Sequence, residues 1–167
     1  ELVSLFGASP DNVVDLVLFC MPPGMGNWLA YAYIGRWDSY YNDYWCQRSS
    51  SQMHEVGHSI GLHHSGEYEG SESAQEYGDQ SDLMGFSYNE DDTDMCFNPA
   101  KNWQLKWYLD KQIEVNANDG LSTEATTYIL NGVVDYDDTS ANIVIKVGDF
   151  YIGYNKATEF NSGVTEG

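Results

Sequence analysis

Basic residues are scarce in this sequence. The chain has 7 Lys and Arg against 26 Asp and Glu, which leaves a formal net charge of −19 at pH 7. A protein this acidic repels polyanions, so the charge argues against nucleic acid and anionic membranes as partners. We interpret the acidic surface as one that keeps the protein soluble rather than one that steers a substrate.

Cysteine is also rare. Three residues, Cys20, Cys46 and Cys96, allow one internal disulfide and leave one thiol over. We expect a bridge between Cys46 and Cys96, with Cys20 either a small buried hydrophobe or a link to a partner. The sequence has no Cys-x-x-Cys pair, so neither a zinc finger nor a dithiol redox site is indicated.

Long apolar runs are missing. No stretch reaches the roughly 18 apolar residues that a membrane-spanning helix needs, and the chain begins at Glu1 without a signal-like segment. We expect no membrane partner, and we place any signal segment outside this sequence. With 42% apolar and 14% aromatic residues, the 167-residue chain has the composition of one folded domain, which we expect to be a monomer.

Hydrophobic patterning divides the chain into strands and helices. Short β-branched and aromatic runs between turn signals predict strands, and apolar residues at helical spacing predict helices. Ser49 and Gln52 fit a capping box, and Asn98-Pro99 is a typical helix start. The predicted strands are 13–20, 28–34, 127–130, 143–147 and 150–154, and the predicted loops are 36–46 and 67–82. One helix is predicted at 49–62. A second helix is predicted from Asn98 through Trp107, and we expect its tryptophans to pack on the core.

This order of elements predicts an α+β fold. A mixed sheet packs on the first helix, and a second helix and a small β-meander follow. We expect a single domain with three parts: 1–64 with the first helix, 65–112 with the second helix, and 113–167 as a β-rich tail.

The first predicted helix carries the chemistry. From His54 it reads HEVGHSIGLHH, which contains His-Glu-x-x-His-x-x-Gly-x-x-His at all five fixed positions. Residues four apart lie on one helix face, so His54 and His58 can direct two imidazoles at one ion. Gly61 can take a positive φ and end the helix, which brings His64 round as a third ligand.

Three imidazoles indicate a catalytic rather than a structural metal site. They leave one position of a tetrahedral zinc open for water, whereas a structural site is closed by a fourth protein ligand. Glu55 follows the first histidine and is placed to take a proton from that water as general base. Imidazoles also bind copper, which stays an alternative to zinc.

Two nearby residues compete with His64 as third ligand. His63 is its neighbour, and Glu76 lies near the spacing of enzymes that use a downstream glutamate. Glu76 falls in a predicted loop without the helical setting of that role, so we favour His64 and treat His63 as a bystander. Further along, Asp82-Leu83-Met84-Gly85 is typical of a tight turn that could place the Met84 thioether beneath the ligands.

The histidine motif and its neighbours resemble the gametolysin family of algal extracellular-matrix peptidases, within the metzincin clan of metallopeptidases. The matching segments are CMPPG at 20–24, WLAYAYIGRW at 28–37, SSSQMHEVGHSIGLHHSGE at 49–67, YGDQSDLMGFSY at 77–88 and MCFNPAKNWQLKWY at 95–108. The resemblance covers about residues 13–108, and the tail after Lys111 matches only loosely.

The resemblance implies a secreted, zinc-dependent endopeptidase that hydrolyses cell-wall or matrix glycoproteins. It assigns the metal to His54, His58 and His64, the base to Glu55, and the Met-turn to Met84. It also implies a metzincin fold, with an upper sheet-and-helix part and a smaller lower part. In related metzincins the substrate lies extended along an edge strand, and 28–34 is our candidate for that strand.

The sequence departs from several metzincins at one position. They place Tyr two residues after the turn methionine, where this chain has Phe86. Tyr88 is the nearest phenol, and we treat it as a candidate transition-state stabiliser, with simple packing as the alternative.

Two other interpretations compete with these. A catalytically silent, metal-stabilised matrix-binding module is the alternative function, and the presence of Glu55 favours the enzyme. The acidic runs Glu90–Asp94 and Asp135–Asp138 raise calcium as a ligand. Neither contains a complete calcium loop with its final glutamate, so calcium has no assigned site.

Overall fold

The computed structural model describes residues 2–68, 74–85, 94–115, 125–138 and 140–164. These residues form two compact units, one of residues up to Gly78 with 84–85, the other of 79–83 with residues from 94 onward. Both units combine short strands with short helices, which confirms the predicted mixture of α and β structure. The three-part division at residues 64 and 112 stays a prediction.

The first unit contains a three-stranded sheet. Its strands are β1 (Val17–Met21), β2 (Ala30–Ala32) and β3 (Asp38–Asn42), in the order β1-β3-β2. β3 pairs with β1 in parallel and with β2 antiparallel, so β2 is an edge strand, as predicted within 28–34. β1 begins later than predicted because the N–H groups of Val13 and Val14 both donate to the Pro10 carbonyl, in the 3-10 turn Pro10–Asn12, and so are not available to a sheet. The helix α1 (Leu2–Phe6) lies before that turn.

β3 lies in the stretch 36–46, which the sequence predicted to be a loop. It is the central strand, and four of its five residues are buried, so its faces do not alternate between apolar and polar. Two of its buried polar side chains, Asp38 and Asn42, take part in hydrogen bonds. Arg36 pairs with the Asp38 carboxylate at 2.9 Å, and the Asn42 amide donates to the Gly26 carbonyl at 2.9 Å.

The helix α2 (Ser49–Ser59) contacts β2 and β3. Arg48 is its N-cap and no side chain caps its first turn, so the predicted capping box of Ser49 and Gln52 is wrong. The Gln52 side-chain amide instead donates to the Cys46 carbonyl at 2.6 Å, in the 3-10 turn that leads into the helix. A hydrogen bond to the preceding turn therefore replaces the local cap.

A two-stranded antiparallel ribbon follows α2. It consists of β4 (Glu67–Tyr68) and β5 (Ala74–Gln75), within the stretch predicted to be a loop. Strands of two residues are too short to show a period in the sequence. β5 continues into a turn that the Gly78 N–H closes by donating to the Gln75 carbonyl at 3.1 Å.

The second unit contains the helix α3 (Pro99–Leu105). Its start is as predicted: Asn98 is the N-cap, and its side chain accepts from the Lys101 N–H at 3.0 Å. Its end is earlier than predicted because Lys106 takes a left-handed conformation with φ 60°. Trp107 consequently lies beyond the helix and is half exposed, which corrects the expectation that it packs on the core. No helix in the described ranges is long and apolar enough to cross a bilayer.

A second three-stranded sheet follows α3. Its strands are β6 (Gln112–Val115), β7 (Val144–Val147) and β8 (Phe150–Ile152), in that order. β7 and β8 form a hairpin as predicted, but β6 pairs with β7 in parallel, so the expected β-meander is wrong. Of the strand predicted at 127–130, only an isolated bridge at Leu130 forms, because the preceding residues are exposed.

The disulfide joins Cys20 to Cys46, and Cys96 has a free thiol. The expected Cys46–Cys96 pair is therefore wrong. The parallel pairing of β1 with β3 explains the difference, because Cys20 lies opposite Tyr41 and the turn carrying Cys46 follows β3 directly. The two Cα atoms are 5.4 Å apart, within the range that a disulfide needs.

Candidate metal centre

The structure brings the three predicted histidines together. His54 and His58 lie one turn apart on the buried face of α2, and His64 returns to them after the helix has ended. One ring nitrogen of each lies within 4.8 Å of the others, and Nε2 of His58 is 3.0 Å from Nε2 of His64. In the part of the chain that the structure describes, this is the only group of three or more His, Cys, Asp or Glu side chains with converging ligand atoms.

The end of α2 directs His64 back towards the helix. Gly61 has φ 101°, as the sequence predicted, and its N–H donates to the His58 carbonyl at 2.9 Å. The Leu62 N–H donates to the Gly57 carbonyl at 2.9 Å. These two bonds form a Schellman end, which reverses the chain within a few residues and requires the positive φ that glycine tolerates.

Two of the imidazoles are oriented by hydrogen bonds on the side away from the centre. His58 Nδ1–H donates to the Leu62 carbonyl at 2.8 Å. His64 Nδ1–H donates to Glu76 Oε1 at 2.6 Å. Each bond leaves the Nε2 lone pair of that ring directed at the centre, which is the tautomer that a metal needs. Glu76, weighed from the sequence as a rival ligand, thus lies behind a histidine rather than in the converging group.

Glu55 lies beside the centre and is only 5% exposed. Burial raises the pKa of its carboxyl to about 7, and the hydrogen bond that it accepts from the Ala32 backbone acts in the opposite direction. Its Oε2 atom is buried and has no hydrogen-bond partner among the described residues. An unsatisfied buried oxygen is costly, so this position suits a proton donor such as a water molecule. The three ring nitrogens and this oxygen therefore fit a metal ion that carries a water.

A cavity of about 370 Å³ opens onto the histidines. The edge strand β2 forms one of its walls. Its lining consists of Leu29, Ala30, Tyr31, Ala32, Ser51, His54, Glu55, His58, His64 and Tyr77. Tyr77 was not singled out from the sequence, and its ring centroid lies 4.1 Å from that of His64. Only the pairing of β4 with β5 brings it here, which no local pattern indicates.

The remaining predicted site residues lie in different surroundings. Met84 is completely buried, and its carbonyl accepts from the Ser65 N–H at 2.9 Å, one residue after the third histidine. His63 is exposed, as expected for a bystander. Phe86 and Tyr88 lie outside the described residues.

Of the two acidic runs, 90–93 also lies outside the described residues. Asp135 in the other run is paired with Lys156 at 2.6 Å. A carboxylate already paired with a lysine is poorly suited to bind calcium.

Comparison with known proteins adds a family. The model of the family described as gametolysin peptidase M11 matches residues 12–161. No curated protein and no solved structure matches the chain. The matched segment includes nearly the whole chain and all three histidines of the centre. The chain therefore belongs to the gametolysin M11 family of metallopeptidases.

Proposed function

We propose that the protein is a zinc-dependent endopeptidase in which His54, His58 and His64 hold the metal and Glu55 transfers protons. One observation carries the proposal: three ring nitrogens converge beside a buried carboxylate whose Oε2 has no partner among the described residues. A purely structural metal site would have a fourth protein ligand and no need for such a carboxylate. The donor set also binds copper, which metal analysis separates from zinc.

The chemistry divides between the metal and Glu55. A bound zinc supplies a Lewis acid that lowers the pKa of water to ~7 and polarises the scissile carbonyl. Glu55 Oε2 accepts the proton of the attacking water and returns it to the amide nitrogen that leaves. The Ala32 N–H holds the carboxylate of Glu55, which lines the cavity. Burial raises the pKa of Glu55 to about 7, so the carboxyl group can both accept and return a proton near neutral pH.

We assign substrate binding to the edge strand β2. The Asn42 N–H donates to the Leu29 carbonyl at 2.9 Å, so by antiparallel alternation Leu29 and Tyr31 direct their backbone groups at β3. Ala30 and Ala32 then direct theirs away from the sheet. An extended polypeptide can add to this edge as a further strand and pass along the cavity. This geometry supports an endopeptidase, because a strand-like substrate can continue past the site in both directions.

The remaining assignments rest on the family and the cysteines. We propose a secreted, monomeric metzincin that cleaves matrix or cell-wall glycoproteins. The Cys20–Cys46 disulfide supports an oxidising compartment. The buried Met84, whose backbone is bonded next to His64, supports a Met-turn.

The test combines metal analysis with cleavage of an unstructured protein such as casein. We expect about one zinc per chain, cleavage by the wild type, loss of cleavage with chelator and recovery with added zinc. Glu55→Ala should keep the metal and lose cleavage, whereas His63→Ala, at an exposed histidine next to the site, should keep both. A wild type that binds zinc and never cleaves would contradict the enzyme and favour a metal-stabilised matrix-binding module.

A further inference from the structure

We propose that Glu76 is a positioning residue for the metal centre: its carboxylate holds the His64 ring so that Nε2 points at the metal. This inference rests on the proposed function, because it requires His64 to be a ligand. The observation behind it is the 2.6 Å contact between Glu76 Oε1 and His64 Nδ1. A carboxylate bonded to the outer nitrogen of a ligand histidine fixes both the tautomer and the ring orientation.

His64 depends on such a partner more than the other two histidines do. His54 and His58 are carried by α2, whose backbone fixes where their side chains start. His64 comes after the helix has ended, and its side chain is 24% exposed. A side chain beyond the helix end has more conformational freedom, so a contact from another segment restricts the orientation of the His64 ring more than it would for a histidine on the helix.

The turn after β5 holds Glu76 and Tyr77 at the centre. Both residues occupy the middle of the turn from Gln75 to Gly78. Tyr77 packs its ring against the His64 imidazole at 4.1 Å between centroids, while Glu76 binds the Nδ1 edge of the same ring. The imidazole is thus restrained both on its face and at its outer nitrogen.

Close backbone packing fixes the position of this turn. A Cβ on Gly78 would lie 2.6 Å from the Glu67 Cβ, and a Cβ on Gly66 would lie 2.7 Å from the Gln75 carbonyl oxygen. Real Cβ atoms do not approach that closely, so β4 and β5 meet where only glycine fits. The two glycines let the ribbon close tightly, and the closed ribbon sets where Glu76 lies relative to His64.

The exposure of Glu76 separates this role from a role in folding. Its side chain is 69% exposed, and exposed ion pairs contribute little to the free energy of unfolding. Removing the carboxylate should therefore leave the metal-free protein as stable as before, and the effect should appear in metal affinity. A merely structural role would show the opposite pattern.

The experiment measures zinc affinity by competition with a chromophoric chelator, using the wild type, Glu76→Ala, Glu76→Gln and His64→Ala. Glu67→Gln is the matched control, since it removes the same charge from the same ribbon. We expect Glu76→Ala to weaken zinc binding about tenfold or more. Glu76→Gln should recover part of the loss, because its amide oxygen can still accept from Nδ1–H. Glu67→Gln should bind like the wild type, and all metal-free melting temperatures should agree except that of His64→Ala.

Three results would overturn the inference. Equal affinity of Glu76→Ala and wild type would mean that the contact does not position the ring. A loss as complete as that of His64→Ala, without recovery by Glu76→Gln, would make Glu76 a ligand instead. The second result would also give the metal a fourth protein ligand, which closes the position that the proposed function leaves open for water. A wild type that binds no zinc would overturn the proposed function together with this inference, whereas the first result leaves the proposed function intact.

Discussion

The backbone N–H of Ala32 donates a hydrogen bond to the carboxylate of Glu55, so the edge strand β2 and the helix α2 meet at the proposed base. The same strand that we assign to the substrate therefore fixes the group that transfers protons. One N–H cannot serve both tasks, so substrate pairing falls to Ala30 and to the Ala32 carbonyl. This division gives the two residues separate kinetic effects.

Ala32→Pro should lower kcat. Proline removes the N–H that fixes Glu55, while the edge position leaves the pairing with β3 in place. We expect kcat to fall about tenfold or more, since correctly placed general bases contribute 10²–10⁴-fold. Ala32→Gly keeps the N–H and is the control. Steady-state kinetics on a fluorogenic peptide measure both variants, and an unchanged kcat for Ala32→Pro would dismiss this role.

Ala30→Pro should act on substrate binding instead. Its N–H points away from β3 in the assigned pattern, so proline removes a contact to the substrate rather than to the sheet. We expect KM to rise several-fold, roughly the effect of one lost hydrogen bond, with kcat largely kept. Ala30→Gly is the control. A change confined to kcat would argue that the substrate does not pair with β2.

Gly61→Ala should weaken both folding and metal binding. Its φ of 101° is strained for any residue with a Cβ, at a cost of about 1–2 kcal/mol in the free energy of unfolding. The Schellman end that returns His64 to the helix should distort as well. Gly148→Ala, in the β7–β8 turn where φ is 59°, is the control for an alanine at another positive φ. Urea unfolding and zinc competition should show destabilisation in both variants, larger in Gly61→Ala, and a loss of zinc affinity only in Gly61→Ala.

Much of the metal centre could be predicted because its geometry is local. His54 and His58 are four residues apart on a helix, and Gly61 ends that helix, so the motif itself contains their arrangement. The roles of Glu76 and Tyr77 were not predictable in the same way. They depend on the pairing of β4 with β5, and strands of two residues are too short to be recognised from a sequence pattern.

The errors in the fold have a similar cause. β3 was missed because a central strand buried on both faces loses the alternation that reveals a strand. The Cys46–Cys96 pair was wrong because cysteine pairing follows strand order, and the parallel neighbour of β3 is the strand that carries Cys20. Local signals such as the Asn98 cap were predicted correctly, since the residues that make them are adjacent.

Reduction of the disulfide should destabilise the protein. The Cys20–Cys46 bridge closes a separation of 26 residues, which corresponds to about 3.5 kcal/mol of unfolded-state entropy. We expect Cys46→Ser to lower the free energy of unfolding by that amount in urea titrations. Cys96→Ser should leave the contribution of the disulfide to that free energy unchanged. If a reducing agent does not shift the wild-type midpoint, the assigned pairing is contradicted.

Cys96 should react slowly in the native protein. Burial raises the pKa of its thiol to about 11, so the reactive thiolate is rare at pH 8. The raised pKa alone should slow alkylation by iodoacetamide at least ~100-fold relative to the unfolded chain. The alkylation rate of Cys96 should keep rising with pH beyond the range in which the rate of an ordinary thiol becomes constant. Mass spectrometry of quenched samples measures the alkylation rate, and rapid native labelling at pH 8 would contradict the raised pKa of this thiol.

The metal centre itself can be observed most directly by X-ray diffraction from crystals grown with zinc, with anomalous data at the zinc edge. The account predicts one strong peak per chain, about 2.0–2.1 Å from a ring nitrogen of each of His54, His58 and His64. It also predicts density for a water between that peak and Glu55 Oε2. A peak bound through Glu76 in place of His64, or no peak among the three histidines, would contradict it.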